Sequence, residues 1–362
     1  MSHGTKLTVA ILSGGVSGEH EISLHSAHNV AKGLDRNRYD LLPIGIDKTG
    51  RWRLYDEDRW IENPADAARA RLCSGGTEVA LVPGRREIFL FDQGWGPRVD
   101  VIFPVLHGPG GEDGTIQGLL ELCRIPYVGA GVLGSAAGMN KILAKRVWEA
   151  SGIPIGPYVE MLRIDRGAEA LSWEAITRRL IPPVFVKPAS LGSSVGISKA
   201  KTRDEFDRAL EVAFGFDREV IVEESIDGRE IECAVLGNER PQAAWPGEIV
   251  LVPRHEFYSY EAKYLDPDGA DINVRADLPD AVARTVMDLA CRAFVALKCR
   301  GMARVDFFLR RSDGALFLNE INTIPGFTAI SMYPQMWDKA GLPLPRLLDR
   351  LIELAMETQP TP

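Results

Sequence analysis

The chain has 362 residues, 45% apolar and 25% charged, the balance of a folded globular protein rather than a disordered, collagenous or membrane-embedded one. At about 150 residues per domain, that length predicts two or three domains. Lys and Arg number 42 against 50 Asp and Glu, a net charge of −8 with no block of five or six like charges, which argues against a nucleic-acid partner. Five cysteines, odd in number and never in a C-x-x-C pair, read as buried or free thiols of a reducing compartment. The apolar run 7–12 is too short for a signal-peptide core, and no stretch is long enough to span a bilayer, so a cytoplasmic protein without a membrane segment is expected.

In chain order, 7–12 reads as a buried strand, followed by the turn Ser13-Gly14-Gly15-Val16-Ser17-Gly18 and a helix with Ile22, Ala27, Val30 and Leu34 on one face. The pattern repeats at 99–106, which enters the glycine-rich turn 107–114 and then a helix carrying Ile116, Leu119, Leu120 and Leu122. Strand, glycine turn and helix, twice, predict an α/β sheet with its ligand crevice at those turns. Residues 47–98 read as irregular strands and loops. Residues 129–134 spell G-x-G-x-x-G with Glu149 twenty residues on, but Glu149 falls on a helix predicted over 136–151 rather than at the end of a second strand, so a structural turn is preferred to a dinucleotide site.

A second region follows, with a strand at 184–187, a Gly/Ser loop at 189–196, a strand at 197–200, a helix at 204–214 and a strand at 219–223. The third has strands at 230–236 and 243–252, then 254–278 without clean periodicity, the length of a functional lid or a disordered loop. A helix over 280–299 capped by Gly301, a hairpin 302–309 and 315–322, and a helix over 344–356 complete the chain.

The hairpin carries the sharpest chemistry. A turn centred on Asp313 sets Asp306 opposite Glu320 and Arg304 opposite Asn322, all on one face, with Val305, Phe307, Phe317 and Ile321 on the other. Two carboxylates and an amide oxygen beside one arginine make a hard-cation site in preference to a solvated polar face. Lys187 ends a strand facing Leu191-Gly192-Ser193-Ser194-Val195-Gly196, whose backbone amides could wrap phosphates or simply form a flexible turn; the spacing is not that of a P-loop. Glu223 and Glu230 lie close by in sequence, whereas Glu224 reads as solvated charge. No zinc-protease, G-x-S-x-G or nucleophilic-cysteine motif occurs.

The motifs GGVSGEHEISLHSA at 14–27, HGPGGEDGTIQGLLE at 107–121, MNK at 139–141, VKPASLGSSVGISK at 186–199, EESIDGREIE at 223–232, FYSYEAKY at 257–264, ARVDFF at 303–308 and NEINTIPGFTAISMYP at 319–334 resemble, in order and over essentially the whole chain, the D-alanine:D-alanine ligases of the ATP-grasp superfamily. The resemblance implies an α/β chain of ATP-grasp architecture with an N-terminal open parallel-sheet domain. It divides the chain into a substrate-binding domain over 1–130, a central ATP-grasp subdomain over 131–223 and a C-terminal subdomain with lid loop and metal site over 224–362. The implied reaction joins two D-alanines through an acyl phosphate for peptidoglycan, with ATP and two Mg²⁺ (or Mn²⁺) and a homodimeric assembly. The implied roles put Lys141 and Lys187 on the phosphates, Glu223 at the adenine, Glu230 at the ribose, and Asp306, Glu320 and Asn322 on the metals. Arg304 and the Gly326 backbone would stabilise developing oxygen charge. Glu19, with His107 nearby, would hold the ammonium of the first D-alanine, and Ser193 and Tyr264 would bond Glu19 and fix the lid. Ser331, Leu191 and Gly192 would lie near the carboxylate of the second substrate. A tyrosine at 264 with the intact FYSYEAKY segment favours the dipeptide over D-alanine:D-lactate, whose ligases carry a histidine at this place; a ligase with D-lactate or D-serine as second substrate is the nearest alternative. The departures, Asn140 where many members carry Asp and Pro109 in the glycine turn, touch no catalytic position.

Overall fold

The structure, a computed structural model, describes residues 6–66, 68–192, 194–251 and 270–358. Leu7–Gly14 is the hub of the N-terminal sheet, its Val9 to Leu12 stretch fully buried, with Tyr39–Ile46 and Val101–Val105 paired in parallel on either side. Four further strands, Trp52–Leu54, Thr77–Ala80, Glu87–Leu90 and Gly94–Arg98, extend that sheet in antiparallel fashion. The sheet is thus mixed rather than wholly parallel, and residues 47–98 are part of it. The reason is the connections: parallel neighbours need a crossover, which helix His20–Gly33 supplies, whereas residues 47–98 contain only a single 3₁₀ turn, Glu57–Arg59, among the described residues and must return as hairpins.

The C-terminal helix Leu344–Glu357 folds back onto this sheet. Its Leu347, Leu348 and Leu351 are fully buried with Val9, Phe103 and Val30, and Tyr39 donates from its hydroxyl to Asp349 at 3.0 Å. A side chain at Gly33 would lie 2.7 Å from Leu348, so glycine sets how closely the two helices approach.

The helix expected over 136–151 is two helices, Val132–Met139 and Lys141–Ala150, broken at Asn140. Asn140 takes an extended backbone and its side chain accepts the Leu143 amide at 2.8 Å, an N-cap. The break is pinned from outside, because Asn140 also donates to Ser190 at 3.0 Å and the Lys141 amide donates to the Ala189 carbonyl at 2.9 Å. Glu149 lies on the second helix, away from any strand end. A four-stranded antiparallel sheet follows, in the order Tyr158–Leu162, Glu219–Glu224, Val184–Pro188, Ser198–Ala200, with helix Arg203–Phe216 burying Phe206, Leu210 and Phe214 against it.

The third sheet is antiparallel, in the order Ala270–Asn273, Gly247–Leu251, Gly228–Gly237, Gly301–Arg310, Leu316–Asn322, with Gln242–Ala243 beside Gly228–Gly237. Part of the stretch 254–278 is therefore ordered structure: Ala270–Asn273 is an edge strand and Ala276 and Leu278 are core. The segment 258–264 lies outside the described residues. Helix Asp280–Ala296 backs the sheet and stops short of Cys299, because Lys298 takes a left-handed backbone at φ +59°. Gly301 serves a close approach rather than a cap, since a Cβ there would sit 2.9 Å from the Gly129 nitrogen.

The hairpin has the expected pairs Arg304 with Asn322 and Asp306 with Glu320, but not a single register. Nearer the turn Phe307 pairs with Leu318 and Phe308 with Phe317, so Asn319 is an extra residue in a bulge. The bulge puts Leu318, 1% exposed, on the core face where Phe317 was expected; Phe317 instead pairs with Phe308 and is half-buried.

Candidate active site

The site begins where the two glycine turns of the N-terminal sheet meet. A Cβ at Gly14, φ +88°, would fall 2.3 Å from the Ile46 carbonyl, so only glycine lets the chain leave the strand here. The Ser17 hydroxyl donates to the His107 carbonyl at 2.7 Å and accepts the Glu19 amide at 3.2 Å, which ties one turn to the other and sets Glu19 at the head of helix His20–Gly33. Glu19 is 8% exposed; Oε2 of its carboxylate lies 2.9 Å from where a Cβ on Gly108 would stand and 3.8 Å from one on Gly192. The Gly/Ser loop of the central sheet therefore reaches Glu19. Ser193 lies outside the described residues.

His107 is buried, with Nδ1 3.0 Å from the Ile324 carbonyl and Nε2 3.4 Å from Ser26 Oγ. Burial lowers its pKa, which leaves a neutral ring donating through Nδ1 to Ile324. Ser26 in turn accepts the Phe327 amide at 3.2 Å, so the N-terminal unit grips the loop that follows the hairpin. That loop carries Gly326 and Ser331. Ser331 Oγ accepts the Thr328 amide at 3.0 Å, and a Cβ on Gly326 would lie 2.7 Å from it. Glu112 is buried near Glu19 and accepts the Gly108 amide at 2.6 Å; burial first, and then Glu19, push its pKa up to about 8.

A cavity of about 490 Å³ opens between the central and C-terminal sheets, a volume in the range of small-molecule sites. It is lined by Lys141, Lys187, Leu191, Gly192, Glu223, Glu230, Arg304, Asp306 and Glu320, nine of the residues expected from sequence. Asn322 and Ser331 are not among its lining residues: Asn322 ends the last strand of the hairpin, where its Oδ1 accepts the Ile324 amide at 3.1 Å, and Ser331 is on the loop that follows. Tyr264 lies outside the described residues.

Both lysines expected at the phosphates already have partners. Lys141 Nζ donates to the Leu191 carbonyl at 2.6 Å, and Lys187 Nζ is 2.7 Å from Glu223 Oε2. Burial alone would raise the Glu223 pKa, but Lys145 and Lys187 outweigh it and hold the carboxylate well below its usual range; Lys187 is raised in return, chiefly by Glu223 against the effect of its own burial.

Arg304 forks onto Asp306, Nε to Oδ1 at 2.8 Å and Nη2 to Oδ2 at 2.7 Å, with Glu232 Oε2 3.3 Å from Nε. Burial opposes the arginine's charge, but Asp306 and Glu232 outweigh it and raise its pKa. Among the described residues no three His, Cys, Asp or Glu side chains are grouped to hold a metal ion. The hairpin offers two carboxylates and one amide, all oxygen donors suited to Mg²⁺, which habitually completes its shell with phosphate oxygens and water. Asp306 would be shared between such an ion and Arg304.

Four participants were not singled out from sequence. Lys145 was legible in principle, one helical turn after Lys141, and Glu232 by its alternation with Glu230. Ser26 gave no local signal because its backbone partner, the Phe327 amide, lies some three hundred residues on, and Glu112, although it bonds the nearby Gly108 amide, gave none because its burial is decided by the packing of distant segments. Glu224, read as solvated, lines the cavity and accepts the Ile181 amide at 2.9 Å.

With this geometry in hand, the chain matches the family models for the D-ala D-ala ligase N-terminus over residues 8–130 and the D-ala D-ala ligase C-terminus over residues 147–353. It is 46% identical over 355 residues to D-alanine–D-alanine ligase A of Salmonella typhimurium, covering 97% of this chain and 96% of that one, and 47% identical, at the same coverage, to its counterpart in Chromobacterium violaceum. Among solved structures it is similar to the D-alanine-D-alanine ligase from Coxiella burnetii, with a TM-score of 0.82, 39% identity, and 98% of this chain and 95% of that one covered. The VanG D-Ala:D-Ser ligase from Enterococcus faecalis gives a TM-score of 0.83 at 35% identity, with 97% and 100% covered. The chain belongs to the D-alanine–D-alanine ligase family.

Proposed function

We propose that this enzyme joins two D-alanine molecules to D-alanyl-D-alanine for peptidoglycan synthesis, with conversion of ATP to ADP and phosphate. A carboxylate oxygen of the first D-alanine takes the γ-phosphoryl group; the amine of the second attacks the resulting acyl phosphate, loses a proton, and the C–N bond replaces the C–O bond as phosphate departs. The observation that carries this reading is one cavity holding Lys141, Lys187, Arg304, Asp306 and Glu320, joined at Gly192 to the buried carboxylate of Glu19.

In this account Glu19 and the neutral His107 orient the first D-alanine, Lys141 and Lys187 release their present partners to meet phosphate oxygens, and Glu223 and Glu230 receive the nucleoside. Arg304 and the Gly326 amide face the negative charge that develops on transferred and tetrahedral oxygens. Ser331, Leu191 and Gly192 border the acceptor's carboxylate. Asp306, Glu320 and Asn322 would hold two Mg²⁺, or Mn²⁺, whose charge would offset that of the phosphates. We assign Ser193 and Tyr264, on the resemblance alone, to bonds with Glu19 that fix the lid and exclude water from the acyl phosphate. The three-unit division at residues 130 and 223, a homodimeric assembly, a cytoplasmic location and the absence of nucleic-acid and membrane partners belong to the same reading. Among the described residues no helix is long and apolar enough to cross a membrane.

The test is ADP release with D-alanine, L-alanine, D-lactate and D-serine, followed by mass spectrometry of products. Dipeptide formed from D-alanine alone supports the assignment; ADP coupled to D-lactate or D-serine in preference would move the enzyme to the alternative acceptor class.

A further inference from the structure

Lys145 is a lysine with 2% of its side chain exposed, and a cation so buried needs a stated partner. It has one, Glu223 Oε1 at 2.7 Å, while the other oxygen of the same carboxylate faces Lys187 at 2.7 Å. The arrangement follows from the fold. Lys145 stands one turn beyond Lys141 on helix Lys141–Ala150, so the two project from one side of it. Lys187 pairs with Ile221 and Phe185 with Glu223 on neighbouring strands, which puts Lys187 and Glu223 diagonally on one sheet face. Lys187 is the more accessible of Glu223's two cations, with 12% of its side chain exposed.

Glu223 thus has two positive neighbours where one would neutralise it. We propose that Lys145 is a positioning residue for nucleotide binding: it stays with Glu223 as sole counter-charge when Lys187 leaves that carboxylate for the phosphates. Without Lys145, Lys187 and Glu223 would form an exclusive buried pair. Drawing Lys187 away would then strand a buried carboxylate, so phosphate binding would have to overcome its desolvation. The proposal rests on Lys187 meeting phosphate, as assigned above.

The experiment measures binding of Mg²⁺ with the non-hydrolysable ATP analogue AMP-PNP, and of adenosine, to the intact enzyme by calorimetry. Lys145→Met should weaken AMP-PNP by about tenfold or more and leave adenosine within about twofold, because adenosine makes no demand on Lys187. Glu223→Gln, which has its own effect on the nucleoside, serves as the reference for a double-mutant cycle: in that background Lys145→Met should cost AMP-PNP no more than about twofold, since no charge is then stranded. Equal weakening of both ligands, no weakening of either, or a cost of Lys145→Met that is as large in the Glu223→Gln background as in wild type would overturn the proposal and leave Lys145 a packing residue. If Lys145→Met does not fold, Lys145→Gln carries the same expectations. Lys187→Met tests the underlying reading separately: AMP-PNP affinity equal to wild type in that variant would remove Lys187 from the phosphates whatever Lys145 does.

Discussion

Arg304→Lys isolates what the guanidinium fork contributes. Arg304 makes two charge-assisted bonds to Asp306, at 2.8 and 2.7 Å, and approaches Glu232 at 3.3 Å, with only 17% of its side chain exposed. Lysine keeps the positive charge between the two acids but cannot bond both Asp306 oxygens and still present a donor to a reacting oxygen. One charge-assisted bond to a buried group contributes about 1.5–3 kcal/mol. At about 1.4 kcal/mol per tenfold, its loss in the transition state alone lowers kcat roughly tenfold to a hundredfold. Arg304→Met is the contrasting perturbation. Glu232 and Asp306 are direct cross-strand partners, and removing the cation between them should destabilise the fold by about 3–5 kcal/mol. The assay is steady-state ADP release at saturating D-alanine and ATP, with thermal unfolding of each variant. The expected result is an Arg304→Lys enzyme that unfolds near the wild-type temperature with a much reduced kcat, and an Arg304→Met enzyme that unfolds earlier. Arg304→Lys with wild-type kcat would refute the assignment of the arginine to developing charge.

Gly108→Ala should raise the D-alanine concentration needed for half-maximal rate, because the new Cβ would stand 2.9 Å from Glu19 Oε2, and at φ +74° it should also lower stability by about 1–2 kcal/mol; D-alanine titration and thermal melts read the two effects, and an unchanged titration would remove Glu19 from the substrate. Glu112 has a folded pKa of about 8 against an ordinary 4.5, so the folded state holds a proton that the unfolded chain releases. Stability should therefore be complete below about 4.5 and fall as pH rises toward about 8, and denaturant melts of Glu112→Gln should lack that component. Asp306→Asn should lower activity at least a hundredfold and shift the Mg²⁺ dependence of the rate to higher concentration; an unaltered Mg²⁺ titration would show that the hairpin carboxylates do not hold the ion.

Local periodicity made the two β-turn-α units, the Gly/Ser loop and the terminal hairpin legible in the sequence, because each is decided by residues close together in the chain. The hairpin register was right at Arg304 and Asp306 although the bulge at Asn319 was not foreseen; it compensates for a turn centred half a residue earlier than supposed. What escaped notice was decided elsewhere. Of the strands between residues 47 and 98, Trp52–Leu54, Thr77–Ala80 and Gly94–Arg98 are short and mostly half-exposed, so tertiary pairing rather than alternation fixes them. The break at Asn140 depends on a cap and on Ser190, some fifty residues on. The return of the last helix to the first sheet has no signature beyond an apolar face. At the site, motif residues were legible as types, but the lysine pair on Glu223 and the burial of Glu112 arise only when separate elements meet.

The most direct test of the central claim follows the oxygen atoms. The enzyme is supplied with ATP and D-alanine carrying oxygen-18 at both carboxylate positions, and phosphate and dipeptide are weighed by mass spectrometry. An acyl phosphate intermediate requires one labelled oxygen in each phosphate released and three in each dipeptide. Unlabelled phosphate accompanying dipeptide formation would contradict activation of the carboxylate by ATP, and with it the proposed reaction.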